Sequence, residues 1–308
     1  MFKHLLCFAL LGVMLMSCSK YNSVKVAKTN FEDEVLRTQN LVFTFNKTLI
    51  SDSGLMNKWD TTQYIRFEPA IPGRFMWTGK SELTFSPEAA LQPATAYKAH
   101  LNSTLLKFSA TKFNVDDDPV LFHTPFLKIN TINTYWSLSE ELASQVEVRC
   151  QLILNNPVSP SKLKPLLKVL VGGAAKDYRI VTQNDAETIE IAFPYNSQDP
   201  GSEAKGKIII EKGLICSGGN TGTTSQVSSD FVVPSKEKLT IQGFEPGFDQ
   251  GKGYIDIFTS QPLIGEGIGA FLTTDPAVEI QPEILPNGLR IKGAFLGGQS
   301  YNLLIKKG

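Results

Sequence analysis

The chain has 308 residues, of which 42% are apolar and 19% charged, the balance of a folded protein and not of a disordered one. Its 30 basic and 30 acidic residues cancel, and no basic stripe restores locally the positive field by which a nucleic-acid binder holds phosphate, so no nucleic-acid partner is expected. The length leaves room for two or three domains, each large enough to bury a core.

The N-terminus opens with Lys3 and His4 and continues as an unbroken apolar run over residues 5–16. That run is shorter than the roughly 20 apolar residues a membrane-spanning helix needs, but it suits the core of a signal peptide. Directly behind it stand Leu15, Met16, Ser17 and Cys18, which resemble the lipobox of bacterial lipoproteins. The resemblance implies that residues 1–17 are a signal peptide and that Cys18 is lipidated, with 18–40 a tether and the membrane a partner through the lipid. The expected location is the cell envelope. Residues 19–23 lack the acidic cluster that surface-exported lipoproteins of some phyla carry, which favours an anchor on the outer or inner membrane that faces the periplasm. Cys7 would leave with the signal and Cys18 would be consumed by lipid, so Cys150 and Cys216 are the remaining thiols. They can form a disulfide in an oxidising compartment or stand as buried free thiols. Spacing does not decide, because a bridge needs Cα atoms within about 7 Å.

Downstream, nearly every periodic segment has period two, the mark of half-buried strands. Leu41, Phe43 and Phe45 alternate with Val42 and Thr44; Tyr97, Ala99 and Leu101 alternate with Lys98 and His100; Ile189 and Ile191 flank Glu190. Breakers such as Pro72, Gly73, Gly79, Gly172, Gly173 and Pro286 separate the strands. The one helical candidate, residues 159–167, is interrupted by Pro165. The strands also recur as a pattern. An opening strand at 41–47, 148–157 or 254–262 is followed by one at 64–68, 167–171 or 278–280. A third follows at 82–85, 188–193 or 288–291, and a tail at 95–101, 206–210 or 300–305. The expected fold is therefore all-β: tandem Ig-like sandwiches over 41–126, 127–235 and 236–308, the last ending short. Within the first, Trp77 and Phe85 flank the Gly79 turn, a hairpin pointing large side chains into one core.

The stretch from Phe45 and Asn46 through Trp59, Asp60, Ile65, Phe67, Pro69, Pro72, Gly73 and Trp77 to Leu83, Phe85, Pro87, Pro93 and Tyr97 resembles the N-terminal region of bacterial alpha-2-macroglobulin-like lipoproteins. More broadly it is similar to the bacterial Ig-like domain of surface-layer and adhesion proteins. The resemblance is best over 41–126. It implies macroglobulin-type sandwiches and a protease-trapping inhibitor, with proteases as partners of the full-length protein. The Cys-x-Glu-Gln thioester motif of that family is absent: Gln151, Leu152 and Ile153 follow Cys150, and Ser217, Gly218 and Gly219 follow Cys216. The chain thus reads as a non-catalytic N-terminal stalk of such an inhibitor. An envelope Ig-like binding or adhesion module, for a carbohydrate or a protein ligand, is the alternative.

Catalytic chemistry has little to stand on. His100 and His123 lack the spacing of a zinc pair and read as structural, and neither a G-x-S-x-G elbow nor a phosphate loop occurs. Gly265, Gly267 and Gly269 lack the full nucleotide-loop spacing and read as a turn. Asp116, Asp117 and Asp118 offer oxygen ligands for calcium but read as a solvated loop, and Phe248 to Gly253 as a glycine-rich approach to the third unit. Trp59, Tyr64, Trp77, Tyr135 and Trp136 would make a sugar platform if exposed together and otherwise belong to cores. No catalytic residue, metal site or cofactor is expected, and the chain is not read as an enzyme.

Overall fold

A computed structural model describes residues 22–116, 118–139, 145–196, 199–249 and 251–306. The chain forms two compact units, one of residues 1–126 with 218–222, the other of 127–217 with 223–308.

In the first unit the strands are β1 (Ser23–Val24), β2 (Val26–Thr29), β3 (Leu41–Phe45), β4 (Trp59–Asp60), β5 (Ile65–Glu68), β6 (Gly73–Gly79), β7 (Glu82–Pro87), β8 (Ala96–Leu101), β9 (Asn114–Val115) and β10 (Val120–His123). A five-stranded sheet of order β2-β3-β7-β6-β4 faces a three-stranded sheet of order β10-β8-β5, and β1 pairs with β9. The alternation read from the sequence is what closes this sandwich. Leu41, Phe43 and Phe45 of β3 are buried, and Phe67 of β5 meets Phe85 of β7 across the core at 4.6 Å between ring centroids. Phe75 packs on the same ring at 4.7 Å. Each such buried ring contributes roughly 1.5–3 kcal/mol over exposure. The hairpin expected about Gly79 is present, with Trp77 opposite Leu83 and Phe75 opposite Phe85. Of the stretch expected as a tether, residues 22–40 are described and supply two strands, β1 and β2. With four residues at a sheet edge, β2 has no buried member and so shows no alternation.

The second sandwich is built from β11 (Ile129–Leu138), β12 (Val146–Val158), β13 (Leu167–Val171), β14 (Ala174–Ala175), β15 (Arg179–Ile180), β16 (Ala186–Phe193), β17 (Ala204–Ile210) and β18 (Val227–Val233). Its sheets have orders β11-β12-β16-β15 and β14-β13-β17-β18. Gly172 and Gly173, at φ of 59° and 81°, make the tight turn between β13 and β14 that a side chain would strain. The helical candidate is two short pieces, Pro160–Leu163 and a 3-10 turn Lys164–Leu166, divided where Pro165 removes an amide donor.

The third sandwich holds β19 (Ile241–Asp249), β20 (Lys252–Thr259), β21 (Leu272–Asp275), β22 (Ile280–Leu285), β23 (Gly288–Gly293) and β24 (Asn302–Ile305), in sheets β19-β20-β23-β22 and β21-β24. The strand expected at 278–280 is displaced: Pro276 lies in a turn, and β21 and β22 flank it. Its buried core is small, consisting of Ile257, Leu272, Leu289, Ile291 and Phe295.

Candidate functional site

Two regions concentrate side chains that the cores do not absorb. The first lies on the sheet face of the second sandwich opposite its core. On β12 the residues Val148, Cys150 and Leu152 point inward, so Glu147, Arg149 and Gln151 point to the other face by strand alternation. Arg149, almost fully buried, donates Nε to Glu147 Oε1 at 2.9 Å and Nη1 to Glu190 Oε1 at 2.6 Å. Glu147 Oε1 also accepts from Arg179 Nη2 at 2.5 Å, and Glu190 Oε2 accepts from Tyr135 and from Gln151, each at 3.0 Å. Burial, then the Glu190 charge, pushes the Tyr135 hydroxyl well above its ordinary range, so it stays a donor. Two guanidinium groups and two carboxylates balance in charge. A shallow cleft of about 230 Å³ borders the cluster, lined by Glu147, Asp177, Tyr178 and Arg179. An internally paired set of this kind is already committed to structure and offers no free acid or base for catalysis.

The second region is the third sandwich. Beside β24 runs a groove of about 640 Å³ lined by Ile241, Phe244, Ile255, Ile257, Tyr301 and Leu303. It is continued along β19 by a hollow of about 270 Å³ that shares Phe244, Ile255 and Tyr301. Phe244 is 73% exposed, Leu304 57% and Ile305 46%. Exposed apolar patches of this kind are a common feature of binding surfaces. Asp275 also lines the groove. Nearby, Arg290 grips Asp256 with two bonds of 2.7 Å, and Lys292 pairs with Glu283 at 2.6 Å. Among the described residues Asp275 has no ion-pair partner.

The structure distributes the residues singled out from sequence. Tyr64, Trp77, Tyr135 and Trp136 are buried and scattered through the cores, while Trp59 stands apart at the surface with the Arg74 guanidinium 4.8 Å above its ring, so no aromatic platform forms. His100 is half-buried, 3.4 Å from Glu68, and His123 stacks on Phe126 at 4.1 Å with Nδ1 3.0 Å from the Thr124 carbonyl oxygen. Gly267 occupies the left-handed region at φ 73° in a turn leading to a short 3-10 segment. Cys150 and Cys216 are both free and buried. Burial pushes the Cys216 thiol up to about 11, and burial with the Glu190 charge drives Cys150 further the same way, so neither is a thiolate near neutrality. The segment 1–17 expected as a signal peptide, Cys18 and Asp117 lie outside the described residues. The groove of the third sandwich went unrecognised in the sequence, although Phe244 and Phe248 on a strand carrying Gly243, Pro246 and Gly247 were its signal.

These features define an all-β protein of tandem Ig-like sandwiches, one of which presents an exposed apolar groove. No protein-family model matches the chain. Over 233 residues, 71% of this chain, it is 22% identical to the alpha-2-macroglobulin of Pasteurella multocida (strain Pm70), and the match covers 12% of that relative's length. The similarity read from the sequence thus has a counterpart in a bacterial alpha-2-macroglobulin.

Proposed function

We propose that the chain is the non-catalytic N-terminal stalk of a bacterial alpha-2-macroglobulin-like protease-trapping inhibitor, held to the membrane by lipid on Cys18 and facing the periplasm. The observation that carries the inhibitor class is the 22% identity to a curated alpha-2-macroglobulin over most of this chain. The lipobox-like Leu15 to Cys18, directly behind an apolar core, carries the anchor. In this role the sandwiches hold later parts of the inhibitor at a distance from the bilayer, and the bait and its chemistry reside elsewhere.

The test has two arms. In a bacterial host the wild-type chain partitions into detergent, whereas Cys18→Ala remains an unprocessed precursor or, if another peptidase cuts it, is released to the aqueous phase. Equal partitioning with the same mature N-terminus would defeat the anchor. Purified residues 19–308 incubated with a panel of endoproteases neither inhibit them nor turn over a substrate, and stoichiometric inhibition by this fragment would defeat the stalk. The groove of the third sandwich favours a second reading, an envelope binding module. A glycan or envelope-protein ligand found for the isolated chain would promote it.

A further inference from the structure

At one end of the first sandwich the loops that join its strands are bonded to one another. Asn46, the residue after β3, donates Nδ2 to the Ser23 carbonyl at 3.1 Å and accepts the Lys25 amide on Oδ1 at 2.9 Å. Between β3 and β4, Leu49 and Ile50 donate their amides to the Lys80 carbonyl of the β6–β7 hairpin at 2.8 and 3.0 Å. Asn57 donates its amide to the Trp77 carbonyl of β6 at 2.9 Å, and Ser51 Oγ donates to the Phe108 carbonyl beyond β8 at 3.4 Å. Asn22 Nδ2 donates to the Lys112 carbonyl at 3.2 Å, so the chain enters the sandwich through this same end. Cys18 stands four residues ahead of Asn22, and four residues span at most about 14 Å.

This end is basic. Lys25, Lys47, Lys58, Lys80, Lys107 and Lys112 lie on these loops, and all but Lys47 are exposed. Among the described residues none of them has an ion-pair partner. The Lys47 ammonium lies 5.9 Å from the centre of the Phe113 ring and that of Lys107 5.1 Å from the centre of the Phe108 ring, so charge is interleaved with half-buried aromatic surface. Of the carboxylates beside these loops, Asp60 and Glu82 accept from the Tyr64 hydroxyl at 2.6 Å and from the Thr78 hydroxyl at 2.7 Å, and Asp52 alone is exposed. Asp116 and Asp118 follow β9 along the side toward β10, whose Val120 pairs with Ala99 of β8. The opposite end carries the acidic run Glu32, Asp33 and Glu34, fixed there by the His123 amide, which donates to the Asp33 carbonyl at 2.7 Å.

We propose that the lysine-bearing end of the first sandwich is a membrane-facing surface that binds the anionic phospholipid headgroups of the bilayer. Lipid on Cys18 holds this end within reach of the headgroup layer, where ammonium groups meet phosphate and aromatic rings suit the interface. An anionic surface attracts this end and repels the acidic run at the other, so one field both binds the sandwich and orients it. The tethering rests on the anchor proposed above, but the headgroup contact is testable without it.

Residues 19–308, without lipid, are sedimented with vesicles of phosphatidylglycerol and phosphatidylcholine and with vesicles of phosphatidylcholine alone. Binding is confined to the anionic vesicles and falls in high salt, which screens the charges. A variant carrying Lys47→Glu, Lys80→Glu and Lys107→Glu binds about tenfold or more weaker. One carrying Lys98→Glu, Lys205→Glu and Lys212→Glu has the same net charge, is altered only at exposed positions away from this end, and binds as the wild type does. A second measurement needs no free affinity: residues 18–308 are coupled through the Cys18 thiol to a maleimide phospholipid in the same two kinds of vesicle. An amine reagent then modifies Lys47, Lys80 and Lys107 several-fold more slowly on the anionic vesicles, while Lys205 and Lys212 react alike on both. Equal modification of the first three lysines on the two vesicles overturns the proposal. So does equal binding to neutral vesicles, and so does a control variant as weak as the first. The anchor fails separately: an unlipidated Cys18 in the bacterial host, with anionic binding intact, removes the tether and leaves this surface standing.

Discussion

At the residue scale the two thiols set a measurable pH dependence. An unfolded cysteine ionises near 9.0, while Cys216 is pushed up to about 11 and Cys150 further by burial. The native state therefore binds these protons more tightly than the unfolded state. Their contribution to stability is complete below pH 9, and it is lost as pH rises from there through the folded values. A chain of residues 19–308 should show an alkaline limb in its pH–stability curve that flattens in a Cys150→Ala/Cys216→Ala variant. The same burial predicts that a thiol reagent labels neither cysteine in the native protein and both in guanidinium. Rapid native labelling would contradict the burial, and no labelling in guanidinium would reveal a disulfide. Trp77 makes a second residue-level prediction. It is buried, 5.5 Å from Tyr64 and 6.0 Å from Phe45 between ring centroids. Trp77→Ala removes about 3–5 kcal/mol, a large part of the ~5–15 kcal/mol that holds a domain. A calorimetric scan in which the mutant melts like the wild type would place Trp77 outside the core.

At the scale of elements, the charged cluster on β12 and β16 behaves differently from an apolar core. Arg149 is held by two carboxylates, and deleting it leaves Glu190 without a cation and buried Glu147 with Arg179 as its one remaining cation. Arg149→Ala should cost about 3–5 kcal/mol, whereas replacing Arg149, Glu147 and Glu190 together by apolar residues of similar size should cost much less. Denaturant titration of the single and triple variants checks this, and equal losses would show that the network is worth its Coulomb energy outright. The sequence showed β12 and β16 because their core faces alternate, and β3, β7 and β8 for the same reason. It did not show β11, β18 or β19. Ile129, Asn130, Thr131, Ile132, Asn133 and Thr134 open β11 without alternation, and its apolar members gather at Tyr135 and Trp136. β18 and β19 are edge strands, and Gly243, Pro246 and Gly247 are tolerated in β19 because one side pairs with no strand among the described residues. The charged cluster escaped notice for a related reason: Glu147, Arg149 and Glu190 sit at polar positions of alternating strands, which composition assigns to solvent. Their burial depends on partners far away in sequence. The groove was illegible because it arises from the number of strands in a sheet, which local periodicity does not count.

At the scale of the whole molecule, the second and third sandwiches fall in one compact unit, and the bonds between them are specific. The Trp136 amide donates to the Ser260 carbonyl at 2.9 Å, and its indole Nε1 donates to the Pro234 carbonyl at 2.8 Å. Gln242 Nε2 donates to the Thr134 carbonyl at 2.6 Å, while Gln261 Nε2 donates to the Lys236 carbonyl at 2.9 Å and to that of Ser235 at 3.3 Å. The Lys236 ammonium lies 4.8 Å above the Trp136 ring, closing the junction from the linker side. The third sandwich, with five buried core residues, has little stability of its own to draw on, so much of its order must come through these contacts. The two sandwiches should therefore unfold in a single transition. Trp136→Ala empties the junction and removes the indole donor, and it should split that transition in two, the third sandwich melting first. Residue-resolved hydrogen exchange identifies which part opens: strands β19 to β24 should exchange faster by about tenfold or more while β12 and β16 stay protected. A mutant that still melts in one step, with β12 and β19 opening together, would mean that the cooperativity arises elsewhere than at Trp136.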